Sequence, residues 1–88
     1  MKLILCPRCD DVVRLRQYRR ACDCGASWGQ YTTPLMAHYG GEAIPLTMGN
    51  RSMVRAVSRV RHYPDPERGE RIDTNVVAET CRTFRRVE

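Results

Sequence analysis

The sequence predicts a small α+β protein: an N-terminal β-hairpin that carries paired cysteines, joined to a short body of strands with one amphipathic helix. Three observations support this. The chain has 88 residues, which is enough for one small core. Its cysteines form two close pairs near the start, and a helical period occurs only over residues 51–62. We expect residues 1–30 to form the cysteine-bearing part and residues 31–88 to pack against it as a single domain.

Two closely spaced cysteine pairs dominate the first thirty residues. Cys6-Pro7-Arg8-Cys9 is followed, after twelve residues, by Cys22-Asp23-Cys24-Gly25. Zinc binds four thiolates tetrahedrally, and in a reducing compartment such pairs favour a metal over a disulfide. We therefore predict a structural Zn²⁺ site, closed to substrate, with free thiols, a regulatory disulfide or iron as the alternatives. Its predicted ligands are Cys6, Cys9, Cys22 and Cys24.

The segment between the two pairs alternates between apolar and polar residues. Val13 and Leu15 fall on one face, and Arg14 and Arg16 fall on the other. This pattern predicts a strand with one face inward. A second short strand over residues 19–22 would complete a hairpin and bring the cysteine pairs together, which is the architecture of a zinc ribbon.

In these cysteine turns the chain resembles the small zinc-ribbon proteins. With residues 3–9 and 22–25 it is also similar to short, functionally uncharacterised proteins of bacteria and phages. In those proteins a cysteine ribbon precedes a segment like residues 43–46 and a helix like residues 50–60, so the likeness spans most of the chain. The resemblance implies a metal role for the four cysteines and no activity. The usual ribbon has C-x-x-C twice, whereas the second pair here is the tighter C-x-C.

The middle of the chain predicts a second hairpin. Gly40-Gly41 separates two β-like runs, residues 36–39 and 42–47. Pro45 would confine the second run to an edge or an interrupted strand. Trp28 is the only tryptophan, and we expect it to pack against the ribbon. A stacking platform for a base is the alternative.

Residues 51–62 predict an amphipathic helix, with Asn50 as its N-cap and Pro64 beyond its end. Its apolar face, Met53, Val54, Val57 and Val60, is expected to be buried in a body that also includes Val76. The opposite face carries Arg51, Arg55 and Arg59, and the helix contains no acidic residue. This arginine face is either a solvated surface or a contact for phosphates or an acidic protein.

The rest of the chain is less distinctive. Residues 63–70 predict a polar loop and residues 71–78 a strand. Cys81 stands alone and is expected to be a small buried residue. Residues 82–88 predict either an edge strand or a frayed end.

Motifs for catalysis and phosphate loops are missing, so we expect the protein not to be an enzyme. No apolar run is long enough for a signal peptide or a membrane span, which predicts a cytoplasmic protein with no membrane partner. The formal net charge is +5. Four thiolates and one Zn²⁺ together carry −2, which lowers the charge to +3 in the metal-bound state.

Two functions remain open from the sequence. The first is a structural zinc-binding adaptor or protein-interaction module, which modulates or belongs to a larger complex. The second is a nucleic-acid-binding zinc-ribbon module. The sequence leaves the oligomeric state open. Both functions would use the arginines of the predicted hairpin and helix as partner contacts: Arg14, Arg16, Arg19, Arg20, Arg51, Arg55 and Arg59.

Overall fold

Two four-stranded sheets and one helix make up the protein, which confirms the mixed α+β class. The computed structural model describes residues 1–87. The helix, α1 (Asn50–His62), follows the sixth strand. The strands are β1 (Lys2–Leu5), β2 (Val12–Arg14), β3 (Arg20–Ala21), β4 (Ser27–Tyr31), β5 (Ala37–Gly41), β6 (Ile44–Met48), β7 (Thr74–Val76) and β8 (Phe84–Arg86).

The sheets interleave the two halves of the chain. The first sheet has the order β2-β1-β6-β7, with antiparallel neighbours throughout. The second has the order β3-β4-β5-β8, in which β5 and β8 run parallel. Because β1 pairs with β6 and β4 with β5, strands from the first thirty-one residues share both sheets with strands from later in the chain.

The hairpin predicted within residues 12–22 does not form. β2 pairs instead with β1, where Val12 lies opposite Leu5, and β3 pairs with β4, where Ala21 lies opposite Trp28. Residues 15–19 carry the chain from one sheet to the other. Each cysteine pair therefore lies at the turn of its own hairpin. The alternating pattern indicated which face of the segment is buried, but it did not specify which strand would pair with it.

The predicted hairpin at Gly40-Gly41 is also wrong. β5 lies in the second sheet and β6 in the first, so this turn passes the chain between sheets. Gly41 has a φ of 67°, which favours glycine. A Cβ at this position would lie 2.1 Å from the Ala26 carbonyl oxygen. The glycine is thus required by the sheet crossing.

Pro45 lies inside β6, which runs continuously from Ile44 to Met48 between β1 and β7, so the strand is neither at an edge nor interrupted as predicted. Its carbonyl accepts a hydrogen bond from the Val77 N–H at 2.9 Å. The N and O atoms of a strand residue point to the same side, so the proline nitrogen also faces β7. β7 ends at Val76. The backbone N–H that proline lacks would therefore lie at the end of the hydrogen-bonded pairing between β6 and β7, where no bond is lost.

The core fills the space between the sheets. Its largest fully buried side chains are Ile4, Leu15, Tyr39 and Phe84. The rings of Tyr39 and Phe84 meet edge to face, with centroids 5.2 Å apart. Cys6 and Cys22 belong to the same buried cluster, so the core continues directly into the cysteine turns.

Trp28 packs in the fold, as expected. It is 7% exposed, and the Arg19 guanidinium carbon lies 4.0 Å from the centre of its ring. The His38 ring contacts it edge-on. A Cβ on Gly40 would lie 2.5 Å from the indole, so the glycine makes room for the ring. Arg19 covers a face that stacking on a base would require.

The helix does not bury the face that the sequence predicted. Val54 is 68% exposed, Val57 47% and Val60 48%, and within residues 1–87 Ala56 is the one buried residue of α1. Val76 is also exposed. The helix contacts the segment before β7: the Asp73 N–H donates to Ser52 Oγ at 2.8 Å, and Arg59 lies 3.7 Å from Glu70. Periodicity identified the apolar residues of the helix but not the side that contacts the fold, which carries Ser52, Ala56 and Arg59.

The ends of the helix and the tail differ in detail from the predictions. Gly49 is the N-cap and makes no side-chain capping bond, while Asn50 is the first helical residue. The strand predicted over 71–78 is reduced to β7. The edge-strand interpretation of the tail is confirmed by β8, although Glu88 lies outside the described residues. Cys81 is half-buried against the core. No helix in the described part of the chain is long and apolar enough to cross a membrane.

Candidate metal centre

The first cysteine pair lies in the turn between β1 and β2. The Cys6 N–H donates to the Asp11 carbonyl at 2.9 Å, and the Asp10 N–H donates to the Cys6 carbonyl at 2.8 Å. Asp10 has a φ of 62°, a left-handed conformation that aspartate tolerates better than most residues. The turn thus closes tightly and places both thiols on one side.

The second pair lies in the turn between β3 and β4. The Cys22 N–H donates to the Ser27 carbonyl at 2.9 Å, and the Gly25 N–H donates to the Cys22 carbonyl at 3.0 Å. Gly25 has a φ of 78°, which a residue without Cβ adopts freely. The Ser27 N–H then points at Cys22 Sγ, 3.3 Å away. The C-x-C turn therefore retains an N–H···S hydrogen bond.

A hydrogen bond joins the two turns. The Asp23 N–H donates to Asp11 Oδ2 at 3.0 Å. This contact links the two cysteine turns, which belong to different sheets. Sequence reasoning gave no role to Asp11, because the bond depends on a fold that brings residues twelve positions apart together.

The four predicted cysteines converge on one point. Their sulfur atoms all lie within 4.8 Å of one another. Cys24 Sγ is 3.7 Å from Cys6 Sγ and 3.5 Å from Cys22 Sγ. Tetrahedral zinc with Zn–S bonds of about 2.3 Å sets its sulfurs about 3.8 Å apart. The spacing suits a four-thiolate metal ion, and Cys81 is not part of the cluster.

The thiols of the cluster differ in their pKa values. The pKa of Cys6 is lowered to about 6, with the Ser27 hydroxyl as the largest cause. The Ala26 N–H favours the Cys24 thiolate, but burial and the neighbouring cysteines outweigh it and raise the pKa of Cys24 to about 12. Four thiols this close cannot all lose their protons without a compensating charge. A divalent cation supplies that charge.

Ser27 provides a second indication that the cluster holds thiolates. Its hydroxyl is fully buried and has no hydrogen-bond partner of ordinary geometry within residues 1–87. It lies beside Cys6 and favours the ionised form of that thiol. Buried hydroxyls without an acceptor are costly, and a metal-bound thiolate is an acceptor. Nothing in the sequence pattern marked Ser27 for this role.

The seven predicted partner-contact arginines do not form one surface. Arg19 covers Trp28, and Arg20 donates to the Arg14 carbonyl at 2.8 Å, so both have structural contacts. Arg14 and Arg16 line a groove at the junction of the sheets. Arg55 and Arg59 lie beside Asp73 around another depression, whereas Arg51 is exposed at the start of α1.

The fold and the cluster together define a small α+β protein with a four-cysteine site that can hold a metal ion. No protein-family model matches the chain, and neither a curated protein nor a solved structure matches it.

Proposed function

We propose that the protein is a zinc-stabilised protein-interaction module, in which the metal fixes the fold and α1 is the docking element. The observation that carries this proposal is the exposed row of Val54, Val57 and Val60 on α1. We call this row the valine stripe. In this proposal the zinc is structural, because a four-thiolate site has no open position for a substrate.

Zinc is the proposed metal because the donor set consists of four thiolates. This set is typical of structural zinc sites, and the proposed cytoplasmic setting keeps the thiols reduced. The ion would be held by Cys6, Cys9, Cys22 and Cys24. It would join two turns that belong to different sheets. Folding and metal binding are then one process, as in other small metal-dependent domains.

The helix is an unusual element for a monomer of this size. It spans 13 residues, of which only Ala56 is buried among the described residues. Isolated helices of this length are marginal in water. An apolar depression of about 290 Å³ lies between α1 and the following loop, lined in part by Val57, Val60 and Ile72. A helix that exposes this much apolar surface is best explained by a partner that covers it.

Charge favours a different, acidic protein as the occupant. α1 carries Arg51, Arg55, Arg59 and Arg61 and no acidic residue. Of these arginines, Arg61 lines the depression beside Val57 and Val60. A pairing of two α1 helices through the valine stripe would place Arg61 of each copy against a helix that has no carboxylate to compensate it. We therefore commit to an amphipathic segment of another protein, with apolar residues for the valine stripe and a carboxylate for Arg61 beside it.

A photocrosslinking experiment tests this proposal. A photoreactive residue replaces Val57, and the control replaces Val87, which is 51% exposed on a different part of the fold. Cells are irradiated, the lysate is treated with nuclease, and crosslinked peptides are identified by mass spectrometry. We expect the photoreactive residue at position 57 to capture peptides of one other protein that contain both acidic and apolar residues. In a second variant the photoreactive residue replaces Val60, and adding Val57→Asp to that variant should abolish the capture. Capture of another copy of this chain alone, or equal capture at both positions, would contradict the proposal.

A further inference from the structure

A groove lies where the two sheets meet, on surfaces that the valine stripe does not include. It consists of two adjoining depressions of about 460 Å³ and about 360 Å³. They share Arg14, Leu15, Tyr31 and Pro34 as lining residues. Each volume lies within the range of small-ligand sites. We call the combined feature the junction groove.

The floor of the junction groove is held in place by the fold. Leu15 is 2% exposed, and its N–H donates to the Lys2 carbonyl at 3.1 Å. The Tyr31 N–H donates to the Arg16 carbonyl at 2.7 Å. These bonds connect the segment after β2 to a strand of each sheet. A ligand would therefore meet a surface that needs little ordering.

Its walls carry positive charge without compensation. Lys2, Arg14 and Arg16 line the groove, and no acidic residue does. None of the three makes an ion pair within residues 1–87, whereas Arg8 pairs with Glu42 and Arg59 with Glu70. The Lys2 ammonium donates to the Leu35 carbonyl and lies 5.5 Å from the centre of the Tyr31 ring, which holds this cation at the groove. Three unpaired cations around one groove make a local positive potential. This potential favours an anionic ligand.

Two tyrosines supply flat apolar faces beside these charges. Tyr18 is 63% exposed at the lip of the groove. Tyr31 lies at the junction of the two depressions, and its hydroxyl accepts a hydrogen bond from the Lys2 N–H at 3.0 Å. That bond fixes the orientation of the ring. Aromatic faces next to cations are the combination with which proteins bind single strands of nucleic acid, since bases stack and phosphates pair with cations.

We propose that the junction groove binds a short single-stranded nucleic acid segment, with phosphates at Lys2, Arg14 and Arg16 and a base stacked on Tyr18. This binding activity goes beyond the proposed protein-docking function and uses other residues. An acidic peptide would satisfy the cations but would gain less from the tyrosine faces. Loss of affinity on removal of a tyrosine ring therefore distinguishes nucleic acid from an acidic peptide as the ligand.

Fluorescence anisotropy with zinc-loaded protein and a labelled oligothymidylate of about eight nucleotides tests the proposal. Affinity is measured from about 25 to 200 mM salt. Each phosphate contact to a single strand contributes a slope of about −0.7 in a plot of log K against log salt, so three contacts give about −2. Arg14→Gln should weaken binding about fivefold and reduce the slope by about 0.7. Arg82→Gln, the same charge change at another exposed position, should change neither the slope nor the affinity beyond the general effect of net charge.

The aromatic test uses a matched tyrosine. Tyr18→Leu keeps an apolar side chain but loses the flat ring, and we expect about fivefold weaker binding with an unchanged salt slope. Tyr63→Leu is the control, because Tyr63 is 82% exposed and does not line the groove. Val57→Asp should also leave oligonucleotide binding intact apart from the net-charge effect, which separates this proposal from the protein-docking function.

Three results would overturn the proposal. One is the absence of oligothymidylate binding at the lowest salt. Another is equal weakening by Arg14→Gln and Arg82→Gln, which would indicate bulk charge and no specific groove. The third is binding of a polyglutamate peptide as tight as that of the oligonucleotide, together with no effect of Tyr18→Leu. Circular dichroism and zinc content confirm in each case that the variant is folded.

Discussion

Replacing Cys6 by serine is the sharpest perturbation of the metal centre. Cys6 is fully buried and joins the core to the first cysteine turn. Structural zinc contributes about 10–16 kcal/mol of apparent binding free energy in small zinc-dependent peptides. A variant that no longer retains the ion loses this whole contribution. The stability of an 88-residue domain is about 4–13 kcal/mol. Cys6→Ser should therefore remove a large part of it.

The measurement combines urea unfolding, followed by circular dichroism, with metal analysis. Cys6→Ser should lose stoichiometric zinc and unfold at lower urea. Cys81→Ser is the control: its thiol is outside the cluster, 3.5 Å from Thr83 Oγ1, so zinc content should stay at the wild-type level and the free energy of unfolding should fall by only about 1 kcal/mol.

A chelator separates the loss of metal from the loss of packing. With zinc removed from both proteins, neither gains stability from the metal, so the stability difference between wild type and Cys6→Ser should largely disappear. Three results would refute the reasoning: full zinc content and unchanged stability in Cys6→Ser, equal effects of Cys6→Ser and Cys81→Ser, or a stability difference that the chelator leaves unchanged.

Three further predictions follow from the same structure. Because protons compete with the metal for the four thiolates, the affinity for zinc should fall as the pH is lowered; competition with a chromogenic chelator measures this, and an affinity that stays constant or rises on acidification would contradict it. Val57→Asp should lower the free energy of unfolding by about 1 kcal/mol, since only about half of the side chain is buried, and a loss of about 3 kcal/mol or more in urea unfolding would show that the valine stripe is covered within the monomer. Gly41→Ala should lower the free energy of unfolding more than Gly25→Ala does in the same assay. Both glycines have positive φ, which destabilises an alanine by about 1–2 kcal/mol, but only at Gly41 would the new Cβ contact backbone atoms.

The ligands of the metal centre could be predicted from the sequence, because the chemistry that selects them is local. Short spacing within each pair nearly fixes the distance between its thiols, and a four-thiolate set has few other uses in a reducing compartment. All four predicted cysteines lie within one cluster. The surrounding contacts of Ser27 and Asp11 could not be predicted, since they depend on how the two turns approach each other.

The sequence did not predict which strands pair with each other. The alternation of residues 12–17 predicted a buried face correctly, since Val13 and Leu15 are buried. It did not identify the partner, because many strands can pair with an exposed edge. The turn at Gly41 looked like a hairpin for a similar reason. A glycine with positive φ serves a hairpin and a crossing between sheets equally well.

The exposure of the apolar face of α1 and the existence of the junction groove could not be predicted from the sequence. The apolar face of α1 was recognised from its period, but its exposure was not, because period gives direction and not environment. The junction groove combines Lys2 and Tyr31, which are far apart in sequence and are linked by a backbone-to-hydroxyl bond. Residues of this kind carry no local signal.

Native mass spectrometry of the reduced protein, purified without added metal, tests the central claim most directly. We predict one zinc ion per chain, and, after chelation, a rise in thiol reactivity by the four cluster cysteines. Cys81 lies outside the cluster, so its labelling in the metal-bound protein gives the level expected for a thiol that is not a ligand. A folded, reduced protein that carries no metal would contradict the account.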